Sequence, residues 1–168
     1  MERVIEAASR IAAKYGADNL DTLAQQLGVA VYDLLETARL KELYFPNLKA
    51  IALRPGLPRH ERRFLLAHGL GHHVLHRDGA DRDFLKHHAA GKENSSPLVQ
   101  SSFAKLENEA DLFASYLLVP ELALRPFLDS ESIQTSDDPV TQLAIEFQVP
   151  TEAIRVRLVY EACKNRPN

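Results

Sequence analysis

The sequence predicts an α+β fold that is mostly helical with one small β-sheet, and three observations carry that expectation. Apolar residues recur at three- and four-residue spacing through most of the chain, which is the period of a helix with one buried face. One stretch, residues 43–53, departs from that period and reads as two short β-compatible runs. Six of the seven histidines crowd between positions 68 and 88, which marks where a site is to be sought.

With 168 residues and 45% apolar composition the chain can bury one sizeable core and is short for two, so 1–168 is read as a single domain. Within it we expect a helical layer over 1–40, a site-bearing core over 42–120 and a C-terminal helical pair over 139–163. Twenty Lys and Arg against 23 Asp and Glu leave a net charge of −3 without a block of one sign, so nothing calls for nucleic acid or an anionic membrane as partner. The lone cysteine, Cys163, cannot form an internal disulfide, and MERVIEAASRIAAKYG reads as an amphipathic helix rather than a signal peptide; a cytoplasmic location is expected. No apolar run approaches the roughly 20 residues that span a bilayer.

In chain order, Val4, Ile5, Ala8, Ile11 and Ala12 predict a first helix. Asn19 and Asp21 cap a second one through Leu23, Ala24 and Leu27 that Gly28 ends. LYFPNLKAIALRPG then supplies runs 43–45 and 49–53 around Pro46-Asn47, a hairpin or two edge strands. Pro58 opens a largely buried helix over 58–76. Residues 77–102 are polar and contain Gly79, Gly91 and Ser95-Ser96-Pro97; they read as a long surface excursion of low local stability, with another turn or two of helix between Asp83 and Ala90. Helical period resumes over 103–118 until Pro120 stops it. Residues 130–139 read as a polar loop, and a final helical pair over 141–163 breaks at Gln148-Val149-Pro150.

His68 and His72 stand four apart, so on a helix their rings leave one face about 5–6 Å apart at Cβ, close enough to clasp one ion. His76 continues that face, but eight helical residues put it about 12 Å along the axis from His68, too far to share the ion; it is a cleft or packing residue. A third ligand must come from another element. Glu107, Glu109 and Asp111 lie on the 103–118 helix, where Glu107 and Asp111 share a face and Glu109 points away.

These residues resemble a known family. RRFLLAHGLGHHVLH followed by ENEADLFASYLLVP is similar to the ImmA/IrrE metallopeptidases, gluzincin-like enzymes with an H-E-x-x-H helix and then a Glu-bearing helix ending in Leu-Leu-x-Pro. The resemblance spans roughly residues 42–120. It implies Zn2+, with Mn2+ an alternative, held by His68, His72 and Glu107, with Asp111 orienting a ligand imidazole and Glu109 the runner-up ligand. It also implies a helix-turn-helix repressor as substrate, cleaved to release phage, mobile-element or stress genes.

Gly69 is the departure: it stands where the family carries the glutamate that serves as general base, whose usual worth is about 10²–10⁴-fold in rate. Weakened or lost activity follows, and a non-catalytic zinc-binding regulator that holds a repressor uncut is the alternative. The sequence offers no folding reason for Gly69, so Gly69→Glu is expected to restore activity without loss of stability. Gly71 is read as a close-packing residue. His73, one turn after Gly69, is a weaker candidate to replace the base. A rival class rests on LAIEFQVPTEAIRVRL, which has a helix-turn-helix outline with Arg155 and Arg157 as its basic contacts; LAQQLGVAVYDLL at 23–35 has a similar outline. Both are read as packing units, and direct DNA binding is not expected.

Overall fold

The structure is a computed structural model and describes residues 1–34, 40–78 and 97–164. The elements are α1 (Glu2–Tyr15), α2 (Leu20–Gln26), β1 (Ala30–Asp33), β2 (Glu42–Phe45), β3 (Ala50–Leu53), α3 (Arg59–His76), α4 (Pro97–Leu118), α5 (Glu121–Leu128), α6 (Glu131–Gln134), α7 (Pro139–Phe147) and α8 (Thr151–Lys164). The fold is therefore mostly helical with a three-stranded mixed sheet, as the periodicity predicts.

The two helices expected in the first forty residues form. Val4, Ala7, Ala8 and Ile11 bury one face of α1, and the Asn19 side chain accepts the Thr22 backbone N–H at 3.0 Å to cap α2. Gly28 takes φ +71° and turns the chain, a conformation that glycine adopts without strain. The remainder of that layer corrects the expectation: residues 30–33 are a strand, not helix, and pair in parallel with β3. Val31 and Tyr32 are β-formers whose period of two was concealed behind the helical outline of 23–35.

The hairpin of β2 and β3 is antiparallel, with Tyr44 opposite Ile51 and Glu42 opposite Leu53. The sheet order β1-β3-β2 makes β3 the central strand, buried along its whole length, and leaves β2 at an edge. Strand β2 begins one residue earlier than the run 43–45, which brings Glu42 into the sheet.

Helix α3 lies between the sheet and α4, and residues Leu66 through His73 are all buried. Two glycines thin it on opposite faces, since positions two apart are about 200° around a helix. A Cβ on Gly71 would meet Ala110 Cα and O at 3.2 Å and Phe113 Cδ1 at 3.1 Å, so its absence lets α3 and α4 close together as predicted. Around this contact Leu66, Leu70, Phe113 and Leu117 are completely buried, each contributing roughly 1.5–3 kcal/mol of hydrophobic stabilisation.

Three boundaries differ from the sequence reading. Helix α4 starts at Pro97, so residues 97–102 belong to it rather than to the preceding excursion. Pro120 does stop α4, but it also opens α5, in which Leu124 supplies the buried contact. Ser130 to Pro139 is not loop throughout, because Glu131–Gln134 forms one short turn of helix that buries Ile133. The helical turns expected between Asp83 and Ala90, together with His87 and His88, lie outside the described residues.

Candidate metal site

The i, i+4 spacing of His68 and His72 puts both rings on the same face of α3, where their Nε2 atoms lie 3.0 Å apart. Glu107 of α4 faces them. Its Oε1 is 3.2 Å from His72 Nε2, and its Oε2 is 3.4 Å from His68 Nε2. Ligand atoms of these three residues lie within 4.8 Å of one another, and they are the group among the described residues that could hold a metal ion. A tetrahedral ion with bonds of ~2.0–2.1 Å sets its ligand atoms about 3.3 Å apart, so the observed separations fit one.

Acidic neighbours orient both rings. His68 Nδ1–H donates to Asp111 Oδ1 at 2.9 Å, which leaves its Nε2 turned toward Glu107. His72 is oriented by a longer chain of bonds. His76 Nε2–H donates to Glu109 Oε2 at 2.9 Å, so His76 Nδ1 is the acceptor for His72 Nδ1–H at 3.1 Å. His72 Nε2 is thereby left with its lone pair facing Glu107, the form in which an imidazole binds a metal. Glu109 is also bonded by Arg3 of α1 at 3.0 Å. It therefore braces His76 and stays out of the convergent group, as its position on the helix implied.

The electrostatics follow from burial and these bonds. Burial, joined by the charge of His68, pushes His72 down to about 4, so it is a neutral imidazole at neutral pH. Burial also opposes charge on His68, but its bonds to Asp111 and Glu107 outweigh it and raise the group to about 10. His68 thus carries a second proton that an incoming ion would displace. For Glu107 burial is likewise overcome, and the bond from His68, with the His72 ring beside it, holds the carboxyl well below the usual carboxylate range.

His73 does not approach this cluster as a substitute base. Its Nδ1 is bonded to Tyr44 Oη at 3.0 Å, and its ring meets Tyr44 edge-on at 5.9 Å between centroids. Tyr44 also lies parallel to His72 at 6.3 Å. Tyr44 packs on the metal-facing helix from β2, and nothing in the helical pattern of 58–76 pointed to it.

The same strand explains Gly69. A Cβ at this position would lie 2.7 Å from Glu42 Oε1 and 2.8–2.9 Å from Ile51 Cδ1 and Cγ1, closer than real side chains stand. A side chain at 69 would thus require the Glu42 carboxylate and the Ile51 side chain to shift, a packing relation that the sequence reading of Gly69 did not include. Glu42 Oε1 is buried without a hydrogen-bond partner. Burial raises its carboxyl to about 7; His68 opposes the shift, and Glu107 and Asp111 add to it. The sequence reading missed Glu42 because an acidic residue at the head of a short strand carries no motif.

At the C-terminal end, α7 and α8 do form the predicted helical pair, with Gln148 in the left-handed region at φ +52° between them. Arg157 is completely buried, where its Nε–H donates to Val119 O at 2.8 Å and its guanidinium lies 3.7 Å from the centre of the Tyr116 ring. One of the two basic contacts of the helix-turn-helix outline is therefore interior, and α8 packs on α4.

The IrrE N-terminal-like domain, a Peptidase M78 family model, matches residues 24–159. Among solved structures, a Mycobacterium tuberculosis transcriptional regulator superposes with a TM-score of 0.61 at 22% identity, over 94% of this chain and 46% of that one. At that identity the likeness is one of fold, and this chain spans less than half the length of the regulator. No curated protein matches the chain. No helix among the described residues is long and apolar enough to cross a membrane.

Proposed function

From the premise that this chain belongs to the Peptidase M78 family of IrrE N-terminal-like domains, we propose that it is a metallopeptidase-type protein whose target is a helix-turn-helix repressor in the cytoplasm. The observation that carries the reading is the convergence of His68, His72 and Glu107, with both imidazoles oriented by bonds that leave a ligand nitrogen turned inward. His68 Nε2, His72 Nε2 and a Glu107 oxygen hold the ion, Zn2+ or Mn2+, while Asp111 and the His76–Glu109 pair fix the two imidazoles. When bound, the ion supplies Lewis acidity that polarises a peptide carbonyl and eases ionisation of water. The edge strand β2 beside the site offers backbone groups along which an extended peptide can lie.

Gly69 favours a second reading, in which the chain grips a repressor through the same cleft and leaves it whole. Purified helix-turn-helix repressors from the same genome, incubated with the chain and Zn2+ or Mn2+ and followed by intact mass, separate the two. Cleavage at one bond, abolished by a chelator and by His72→Ala, is the expected result. Retention of a repressor without cleavage would put the binding role in its place, and neither result from a metal-loaded chain would overturn both.

A further inference from the structure

Helix α3 lacks the family's proton carrier, yet a carboxylate is present at the same place. In a glutamate the carboxyl oxygens lie roughly 3 Å from their own Cβ, two C–C bonds and one C–O bond away. Glu42 Oε1 lies 2.7 Å from where a Cβ of residue 69 would be. An oxygen of Glu42 therefore lies as close to position 69 as a helix-borne glutamate's oxygens lie to their own Cβ, and a side chain at 69 could enter only if Glu42 moved.

The alignment has a simple geometric origin. Positions 69 and 73 are about 6 Å apart on the helix, and positions 42 and 44 are about 6.6 Å apart on the strand. The structure sets Glu42 against Gly69 and Tyr44 against His73. Glu42 and Tyr44 thus share the helix-facing side of β2 and read successive turns of α3. The buried oxygen has no hydrogen-bond partner to explain it; an unpaired buried acceptor is costly, and such groups concentrate at functional sites. Glu42 is also outside the convergent group of His68, His72 and Glu107, which leaves it free to accept a proton rather than bind an ion.

We propose that Glu42 is the general base of this site, a carboxylate supplied by strand β2 in place of the one that helix α3 has lost at Gly69. This rests on the peptidase reading above and deepens it. Glu42 takes a proton from the attacking water as the water oxygen bonds to the peptide carbonyl carbon. It then returns that proton to the amide nitrogen as the C–N bond breaks, giving an amine and a carboxylic acid, which exchange the acid's proton to become ammonium and carboxylate, and regenerating ionised Glu42.

The test uses the full chain loaded with Co2+, whose visible absorption reports the ion's surroundings without any substrate. Wild type and Glu42→Gln are expected to bind one ion each, with the pH midpoint of the absorption change displaced by about one unit in the variant because an ionised neighbour has been removed. Equal midpoints would overturn the proposal, and so would loss of cobalt from Glu42→Gln, which would make Glu42 a ligand. On a repressor that wild type cuts, Glu42→Gln is expected to slow kcat by about 10²–10⁴-fold, and Glu42→Asp, which retracts the carboxylate by one methylene, to fall between. Undiminished cutting by Glu42→Gln overturns the proposal while leaving the peptidase reading intact. A chain that cuts nothing removes the peptidase reading and the role of Glu42 as base with it, while a displaced cobalt midpoint in that case still locates Glu42 beside the ion.

Discussion

Glu42 and Gly69 form a reciprocal pair: Oε1 of one lies 2.7 Å from the Cβ the other would carry. Two elements distant in sequence thus meet beside the paired histidines, and a side chain at 69 would displace the Glu42 carboxylate.

Gly69→Ala is accordingly expected to destabilise the fold. Helix propensity favours Ala by about 1 kcal/mol, but overpacking against Glu42 and the central-strand residue Ile51 costs about 1–3 kcal/mol. Urea unfolding should show a net loss that shrinks when Glu42→Ala is present as well. A Gly69→Ala chain more stable than wild type would show that the sheet yields freely, and Gly69→Glu could then act as a simple restoration.

Stability of the metal-free protein should respond to pH through Glu42. Its carboxyl rises from 4.5 to about 7 on folding, so between those values the folded state binds more protons than the unfolded one. Its favourable contribution is complete below 4.5 and is lost as pH rises to about 7. The groups facing it are His68 on α3 and Glu107 and Asp111 on α4. Relative to Glu42→Gln, wild type should lose a few kcal/mol across that window, at about 1.4 kcal/mol per unit, and nothing further above it. A wild-type minus variant difference that is flat from pH 4.5 to 8 would contradict this.

Arg157 should matter to folding and not to DNA. Its guanidinium is buried between Val119 O, Tyr116 and Glu161 Oε1, the last at 2.8 Å. Arg157→Ala leaves Glu161 without its partner in a largely buried place and should cost about 3–5 kcal/mol. Arg155→Ala, at an exposed position with Glu152, should stay within about 0.5 kcal/mol. Thermal unfolding of both variants checks the contrast, and equal losses would refute it.

The legible part of this protein is the part written in local period. Two histidines four apart, a glycine that permits helix contact at 71, and a carboxylate pair four apart at Glu107 and Asp111 all follow from the geometry of one helix, and the structure brings them together. Strand β1 was concealed because Ala30 to Asp33 is only four residues long and falls inside the helical outline of 23–35, even though Gly28 turns the chain before it, and its pairing with β3 is a tertiary fact. Glu42 and Tyr44 were illegible for a related reason. Their importance lies in the helix they face, and sheet-to-helix register is not encoded in either segment alone. Gly69 was visible as an anomaly, but the carboxylate packed against it sat 27 positions away in sequence.

The most direct test of the account is zinc titrated into the metal-free chain by calorimetry, run in parallel on single-site variants. Wild type should bind one ion, His68→Ala and His72→Ala should bind none, and Glu107→Gln should lose more affinity than Glu109→Gln or Asp111→Asn, whose bracing roles are worth about 10–100-fold. One tightly bound ion that survives His72→Ala, or a greater loss from Glu109→Gln than from Glu107→Gln, would contradict the site as described.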